Sequence, residues 1–155
     1  MSLTPSLSYR LQFQHHTVTD LTKGFDEQQL KQIPLPGKWS ALENIAHLVS
    51  YQPVFQARIE RILNEKDPSF ERYVADTDPA FLVCAEEWLN ELIKNLDSVR
   101  IQIWQRIHQL KDDQLARKGI HPKFGELDIT QWTEFFLLHE AHHLFTIFQL
   151  LRARR

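Results

Sequence analysis

Cysteine is nearly absent from the 155 residues. The single Cys84 excludes an internal disulfide framework and every multi-cysteine metal site. Glycine is almost as scarce, with only Gly24, Gly37, Gly119 and Gly125, which argues against a turn-rich sheet protein. No apolar run approaches the roughly 20 residues needed to cross a bilayer, so no membrane partner is expected. Neither sign of charge dominates: 18 basic and 20 acidic side chains leave a formal net charge of -2. That balance lacks the footprint of a nucleic-acid binder, and the only basic cluster is the tail Arg152, Arg154 and Arg155. The opening residues show no basic segment followed by an apolar one, so a cytoplasmic protein without a leader is expected. No repeat or composition break divides the chain, which reads as one domain over residues 1–155.

What is present is helical periodicity. A first helical region is expected over residues 7–22, followed by a short turn of helix over 27–32. Pro34-Leu35-Pro36-Gly37 stops it, since proline removes a donor and restricts its predecessor. Ser40 with Glu43 three residues later forms a capping box that opens a second helix. Ile45, Leu48, Phe55, Ile59 and Ile62 mark its buried stripe, and Pro53 inside it predicts a bend or a boundary. Residues 64–79 read as a loop. A third helix is expected over 80–111, with Trp88, Leu92, Leu96, Val99, Ile103 and Ile107 on one face. Residues 111–127 read as a second ordered loop, and Asp128 with Gln131 caps a fourth helix running nearly to the C-terminus. The fold class is therefore all-α: a four-helix bundle with long crossover connections.

Chemistry concentrates in the fourth helix. His139 and His143 are four apart, so they stack on one face within reach of a single ion. At 100° per residue, Trp132, Phe136, Thr146 and Leu150 all lie within about 60° of that pair, which therefore points inward. Two interior imidazoles must find partners. They can be plain core histidines bonded to carbonyls or a carboxylate, or they can be metal ligands. A tetrahedral metal needs a third ligand, and His47 in the second helix is the best candidate. Glu43, one turn earlier, shares its side and offers an outer-shell acceptor or a substitute ligand. The string from His139 to His143 also matches the HExxH pattern of zinc peptidases. Only twelve residues follow, however, with no segment to supply a later ligand or a substrate-binding strand.

Several motifs in chain order carry a resemblance. They are the Pro-Gly-Lys38-Trp39-Ser40 entry, Glu43 with His47-Leu48, the HPKFGEL segment from His121, and the terminal His139-Glu140-Ala141-His142-His143. Together these resemble the DinB-like superfamily, the DNA-damage-inducible and related proteins built on a metal-binding four-helix bundle. The resemblance covers nearly the full chain. It implies a metal triad of His47, His139 and His143 around a divalent ion, commonly zinc or nickel, with an open position. It also implies a small-molecule substrate and, for members of known activity, a low-molecular-weight thiol as cosubstrate. The family often has aspartate where this chain has Glu140. Family membership does not imply DNA binding, which agrees with the charge balance.

The activity expected is a metal-dependent thiol S-transferase. The alternatives are a metal-dependent hydrolase, and a metal-binding structural or accessory protein without turnover. Glu140 and Glu43 are the candidate catalytic proton acceptors. Arg58 and Arg100 are candidate anion or cofactor contacts, unless they are solvated surface charges. A di-metal bundle would need a second ExxH unit beside Glu140 and His143, and none is found. Cys84 reads as a small buried side chain, Trp39 as a loop anchor, and His121 as a residue that orders the loop before helix four. Finally, Leu137, Ala141, Leu144, Phe148 and Leu151 form a second apolar seam on helix four. That seam predicts a homodimer, unless the loops or helix one cover it within the monomer.

Overall fold

The computed structural model describes residues 3–153. Arg154 and Arg155 of the basic tail lie outside the described residues. Helices α1 (Pro5–Phe13) and α2 (Thr17–Thr22) are joined by a 3₁₀ turn over Gln14–His16. After a short α3 (Glu27–Lys31), the long α4 (Ala41–Asn64) crosses the molecule. A 3₁₀ turn (Ala75–Thr77) leads into α5 (Pro79–Ala85) and α6 (Leu89–His108). Then come a single turn of α7 (Asp112–Leu115), a hairpin of β1 (Lys118–His121) and β2 (Gly125–Asp128), and α8 (Ile129–Arg152). The α1–α2 pair, α4, α6 and α8 form the four-helix bundle. No helix among the described residues is long and apolar enough to cross a membrane.

The cap signals fold as written. Ser40 Oγ accepts the Glu43 N–H at 3.1 Å while Glu43 Oε2 accepts the Ser40 N–H at 2.7 Å. Asp128 and Gln131 make the same reciprocal pair at the start of α8. Each box satisfies two of the orphan donors of a helix start. Pro53 does not end α4, which continues eleven residues beyond it to Asn64.

Three expectations need correction, and a fourth is met in part. The first helical region is broken at Gln14–His16, where Phe13 leaves helical geometry. The third is interrupted before Leu89, and Trp88 caps α6 from outside with 59% of its surface exposed rather than marking a buried face. Residues 111–127 contain α7 and a hairpin rather than only loop. The second seam on α8 is filled from within the chain only in part: α1 and α2 pack on α8 and Leu137, Leu144 and Leu151 are buried, whereas Ala141 and Phe148 stay exposed, Phe148 by 41%. The three buried positions need no second copy.

Two apolar clusters lie end to end along the bundle. One holds Leu7, Leu11, Phe55, Ile103 and Phe136, and the other Val18, Leu42, Leu92, Leu96 and Ile147. Between them each long helix places a polar residue: His15 before α2, Gln52 on α4, Arg100 on α6 and Glu140 on α8. All four are buried. Arg100 pairs with Glu140, donates Nε to Gln52 Oε1 at 2.8 Å and Nη1 to the Leu11 carbonyl at 3.3 Å. Gln14 Nε2 donates to Glu140 Oε1 at 3.0 Å, and Gln52 Nε2 to the Leu96 carbonyl at 2.9 Å. The layer ties all four columns together through satisfied polar groups, as a low-dielectric interior requires.

The hairpin is held against the bundle where Phe70 N–H donates to the Ile120 carbonyl and Ile120 N–H to the Pro68 carbonyl. Gly119 permits this approach. A Cβ there would stand 2.7 Å from Ile62 Cγ1 and 2.8 Å from Phe70 Cε2. Gly119→Ala is therefore expected to cost about 1–3 kcal/mol by overpacking, read as a shift in the denaturant midpoint.

Candidate metal centre

His47 on α4 and His139 and His143 on α8 meet although 92 or more residues separate the helices' contributions. Their ligand atoms lie within 4.8 Å of one another, and among the described residues no carboxylate or cysteine joins this group. His47 Nε2 and His139 Nε2 face each other at 3.1 Å. Two nitrogens bound at ordinary zinc distances on one tetrahedral ion are about 3.3 Å apart, so the spacing suits a shared cation. His143 is oriented by Asn44: its Nδ1 donates to Asn44 Oδ1 at 2.8 Å, which leaves Nε2 as the lone-pair nitrogen. The amide is itself fixed, because Asn44 Nδ2 donates to the Ser40 carbonyl at 2.9 Å. The helix cap thereby sets the orientation of a ring on the opposite helix.

Burial holds all three rings neutral. Desolvation, helped by neighbouring histidines, brings His47 down to about 3, His139 to about 4 and His143 to about 2. Neutral imidazole is the form that binds a metal. The Nδ1 atoms of His47 and His139 are buried with no partner among the described residues. A cation held at the Nε2 atoms would leave those two Nδ1 atoms still in need of acceptors, so they do not bear on the ion. The fit to a divalent ion rests instead on the facing Nε2 pair and on the Nε2 lone pair that Asn44 leaves to His143.

Two predictions arise directly. Asn44→Ala removes the acceptor that fixes His143 and is expected to weaken zinc affinity about 10–100-fold, read by competition with a chelating dye. The metal-free protein is expected to lose stability as pH falls. The folded-state histidine values lie below the ordinary 6.5, so the unfolded chain takes up protons first. The contribution is intact above about pH 6.5 and drains away towards the folded values near 4 and 3. Denaturant midpoints measured across that window should fall less steeply in His139→Leu.

The surroundings are aromatic on one side and open on another. Trp39 packs its ring 5.1 Å from His47 and 4.8 Å from Phe81, and donates Nε1 to Asp76 at 3.1 Å. It anchors its loop as expected, and it also roofs the histidines. Tyr51 lies 4.8 Å from the His139 ring. Beyond Tyr51 and His139 opens a cleft of about 730 Å³, whose walls include Arg58, Tyr73, His121 and Phe135. His121 closes the hairpin: its Nδ1 accepts the Lys123 and Phe124 N–H groups at 3.0 and 3.1 Å.

The other candidates are placed elsewhere. Glu140 is buried and spends its oxygens on Arg100 and Gln14, away from the histidine nitrogens. The HExxH arrangement of a peptidase, with its glutamate beside the ion, is therefore not formed. Glu43 is occupied by the Ser40 cap. Arg100 is fully buried at the centre of the polar layer rather than a surface charge, while Arg58 lines the cleft. His142 is exposed, and half-buried Cys84 has its thiol pushed up by burial and the nearby Glu87 and Asp78. Sequence reading passed over Asn44 and Tyr51. The signal was present: Asn44, His47, Tyr51 and Arg58 recur at spacings of three, four and seven, a helical stripe beside the apolar one.

A four-helix bundle in which three neutral histidines converge between two of its helices has the donor set of a protein that could hold one metal ion. Comparison with known proteins makes this specific. The DinB superfamily model matches residues 10–147, and the chain belongs to that superfamily. It is similar to YuaE of Bacillus subtilis strain 168, at 29% identity over 134 residues covering 79% of this chain and 83% of YuaE. Among solved structures it resembles YfiT from Bacillus subtilis, described as a probable metal-dependent hydrolase with an unusual four-helix bundle topology. That match has a TM-score of 0.83 at 16% identity and covers 99% of this chain and 90% of YfiT. The four-helix bundle protein TT2238 matches with a TM-score of 0.65 at 21% identity, over 91% of this chain and 94% of its own.

Proposed function

We propose that this chain is a metal-dependent enzyme in which His47, His139 and His143 hold one divalent ion, zinc or nickel, at the edge of a small-molecule cleft. The observation that carries the reading is the convergence of three neutral imidazoles beside that cleft. When bound, the ion would supply an electrophilic centre that polarises a substrate and makes a nearby water or thiol more acidic. The residues themselves do the rest. Asn44 keeps the His143 lone pair aimed at the cluster, and Trp39 and Phe81 exclude water from its back. Tyr51 forms the wall between the histidines and the cleft, with a hydroxyl that burial keeps protonated.

The nucleophile we favour is a low-molecular-weight thiol. Both carboxylates expected to serve as bases are engaged, Glu140 by Arg100 and Glu43 by the Ser40 cap. A thiol ionises near pH 8.5 in water and needs little help from a base, whereas water needs a great deal. Hydrolysis is the second reading, favoured by the description of YfiT. The test loads the protein with zinc or nickel and offers two substrates. One is an aryl chloride electrophile with cysteine as thiol, and the other is a p-nitrophenyl ester without thiol. Thiol-dependent loss of chloride, abolished in His143→Ala, is the expected result. Metal-dependent ester cleavage alone would favour the hydrolase, and no turnover in either arm would favour a site without catalysis.

A further inference from the structure

Only two arginines among the described residues are buried, Arg58 and Arg100. Arg100 has Glu140 as its counter-ion. Arg58 has none among the described residues: Nη1 donates to the Tyr51 hydroxyl at 3.2 Å and Nη2 to the Glu71 backbone carbonyl at 3.0 Å, both neutral acceptors. Its guanidinium lies 5.5 Å from the Phe70 ring and 5.6 Å from the Trp132 ring, whose faces attract the cation but supply no counter-charge. A buried cation without an anion is a costly arrangement unless an anion is meant to arrive.

The cleft it lines favours such an arrival. Arg72 and Lys123 add two more cations to the wall against one acidic residue, Glu71. His121 adds a donor. Its Nδ1 accepts two backbone N–H groups, so the ring proton sits on Nε2. Burial, together with the charges of Arg58 and Lys123, lowers the His121 pKa and keeps that ring neutral, a sign of the positive field there. The remaining wall is apolar or aromatic, from Tyr51, Tyr73, Phe124 and Phe135. One tyrosine separates the two functions: Tyr51 touches Arg58 through its hydroxyl and the His139 ring through its face.

We infer that the cleft takes a small molecule with an apolar body and a carboxylate or phosphate group, the anion meeting Arg58 and Lys123 while the body lies against the aromatic wall. The inference names the substrate class for the centre proposed above and rests on that reading. A planar fork such as Arg58 suits either anion through paired N–H donors.

The test follows binding rather than turnover. Zinc-loaded protein is titrated with benzoate, with phenyl phosphate and with neutral benzamide, using protein NMR shifts to give each dissociation constant. At least one anion should bind roughly tenfold more tightly than benzamide, and which one distinguishes carboxylate from phosphate recognition. The preference should vanish in Arg58→Gln and weaken severalfold in Lys123→Glu. The second variant is exposed and serves if the first does not fold. It should persist in His47→Ala, whose metal content is measured separately, so that failure of the metal centre and failure of the anion site read differently. Equal binding of benzamide and both anions would overturn the inference. So would an anion preference that survives Arg58→Gln and Lys123→Glu but disappears with His47→Ala, since the anion would then be sitting on the ion.

Discussion

Glu140→Gln and Arg100→Met are each expected to lower folding stability by about 3–5 kcal/mol, among the largest single-site effects in the chain. The reason is desolvation. Both side chains are buried at the level where the two apolar clusters meet, and each removal strands the other's charge in the interior. Arg100 would lose its only counter-ion among the described residues while still reaching Gln52 and the Leu11 carbonyl. Glu140 would keep only the Gln14 amide. The double change Arg100→Met with Glu140→Leu removes both charges in similar volume and should recover most of the loss, since hydrophobic replacement of a whole buried pair is often neutral. Urea denaturation of the three variants checks this. Single changes costing less than about 1 kcal/mol would show that the pair is not isolated from water.

Loading with zinc is expected to raise stability by about 4 kcal/mol when free ion stands a thousandfold above its dissociation constant. In a chain of this size that corresponds to roughly 10 °C in the melting temperature. The gain comes from linkage. His47 and His139 are 92 positions apart, so the unfolded chain has only the local His139–His143 pair and binds far more weakly. The same ion should do little for His47→Ala, because the folded variant then offers no more ligands than the unfolded chain. Calorimetric melting with and without zinc measures both. An equal rise in wild type and His47→Ala would place the stabilising ion elsewhere, for instance at His15, His16 and Asp97, which also come within 4.8 Å of one another.

The parts of this molecule written in local patterns were legible in its sequence. Ser40 with Glu43 and Asp128 with Gln131 announce two helix starts through pairwise chemistry three residues apart, and both boxes form. The stripe on α4 and the facing of His139 and His143 follow from helical periodicity alone. The break at Gln14–His16 does not, because nothing in Phe13-Gln14-His15 disfavours helix locally; tertiary packing of α1 and α2 on α8 accompanies the bend. The hairpin is equally hidden, since four-residue strands reading Lys-Gly-Ile-His and Gly-Glu-Leu-Asp carry too few apolar positions to alternate. Glu140 shows the limit most clearly. Its place in the HExxH string suggests a catalytic base, whereas Arg100, forty residues earlier, holds it in the interior. Long-range pairing of charges leaves no local trace, and neither does the neutral setting of Arg58.

The most direct measurement is the metal content of protein purified without a histidine tag, by plasma mass spectrometry, alongside His47→Ala and His139→Ala. One divalent ion per chain in the wild type, lost in both variants while circular dichroism shows them folded, is the result expected of a single centre bridging α4 and α8. A wild type that carries no ion and takes up none when zinc or nickel is added would contradict that centre and the enzyme built on it, and would leave the bundle standing on its buried pair and two apolar clusters.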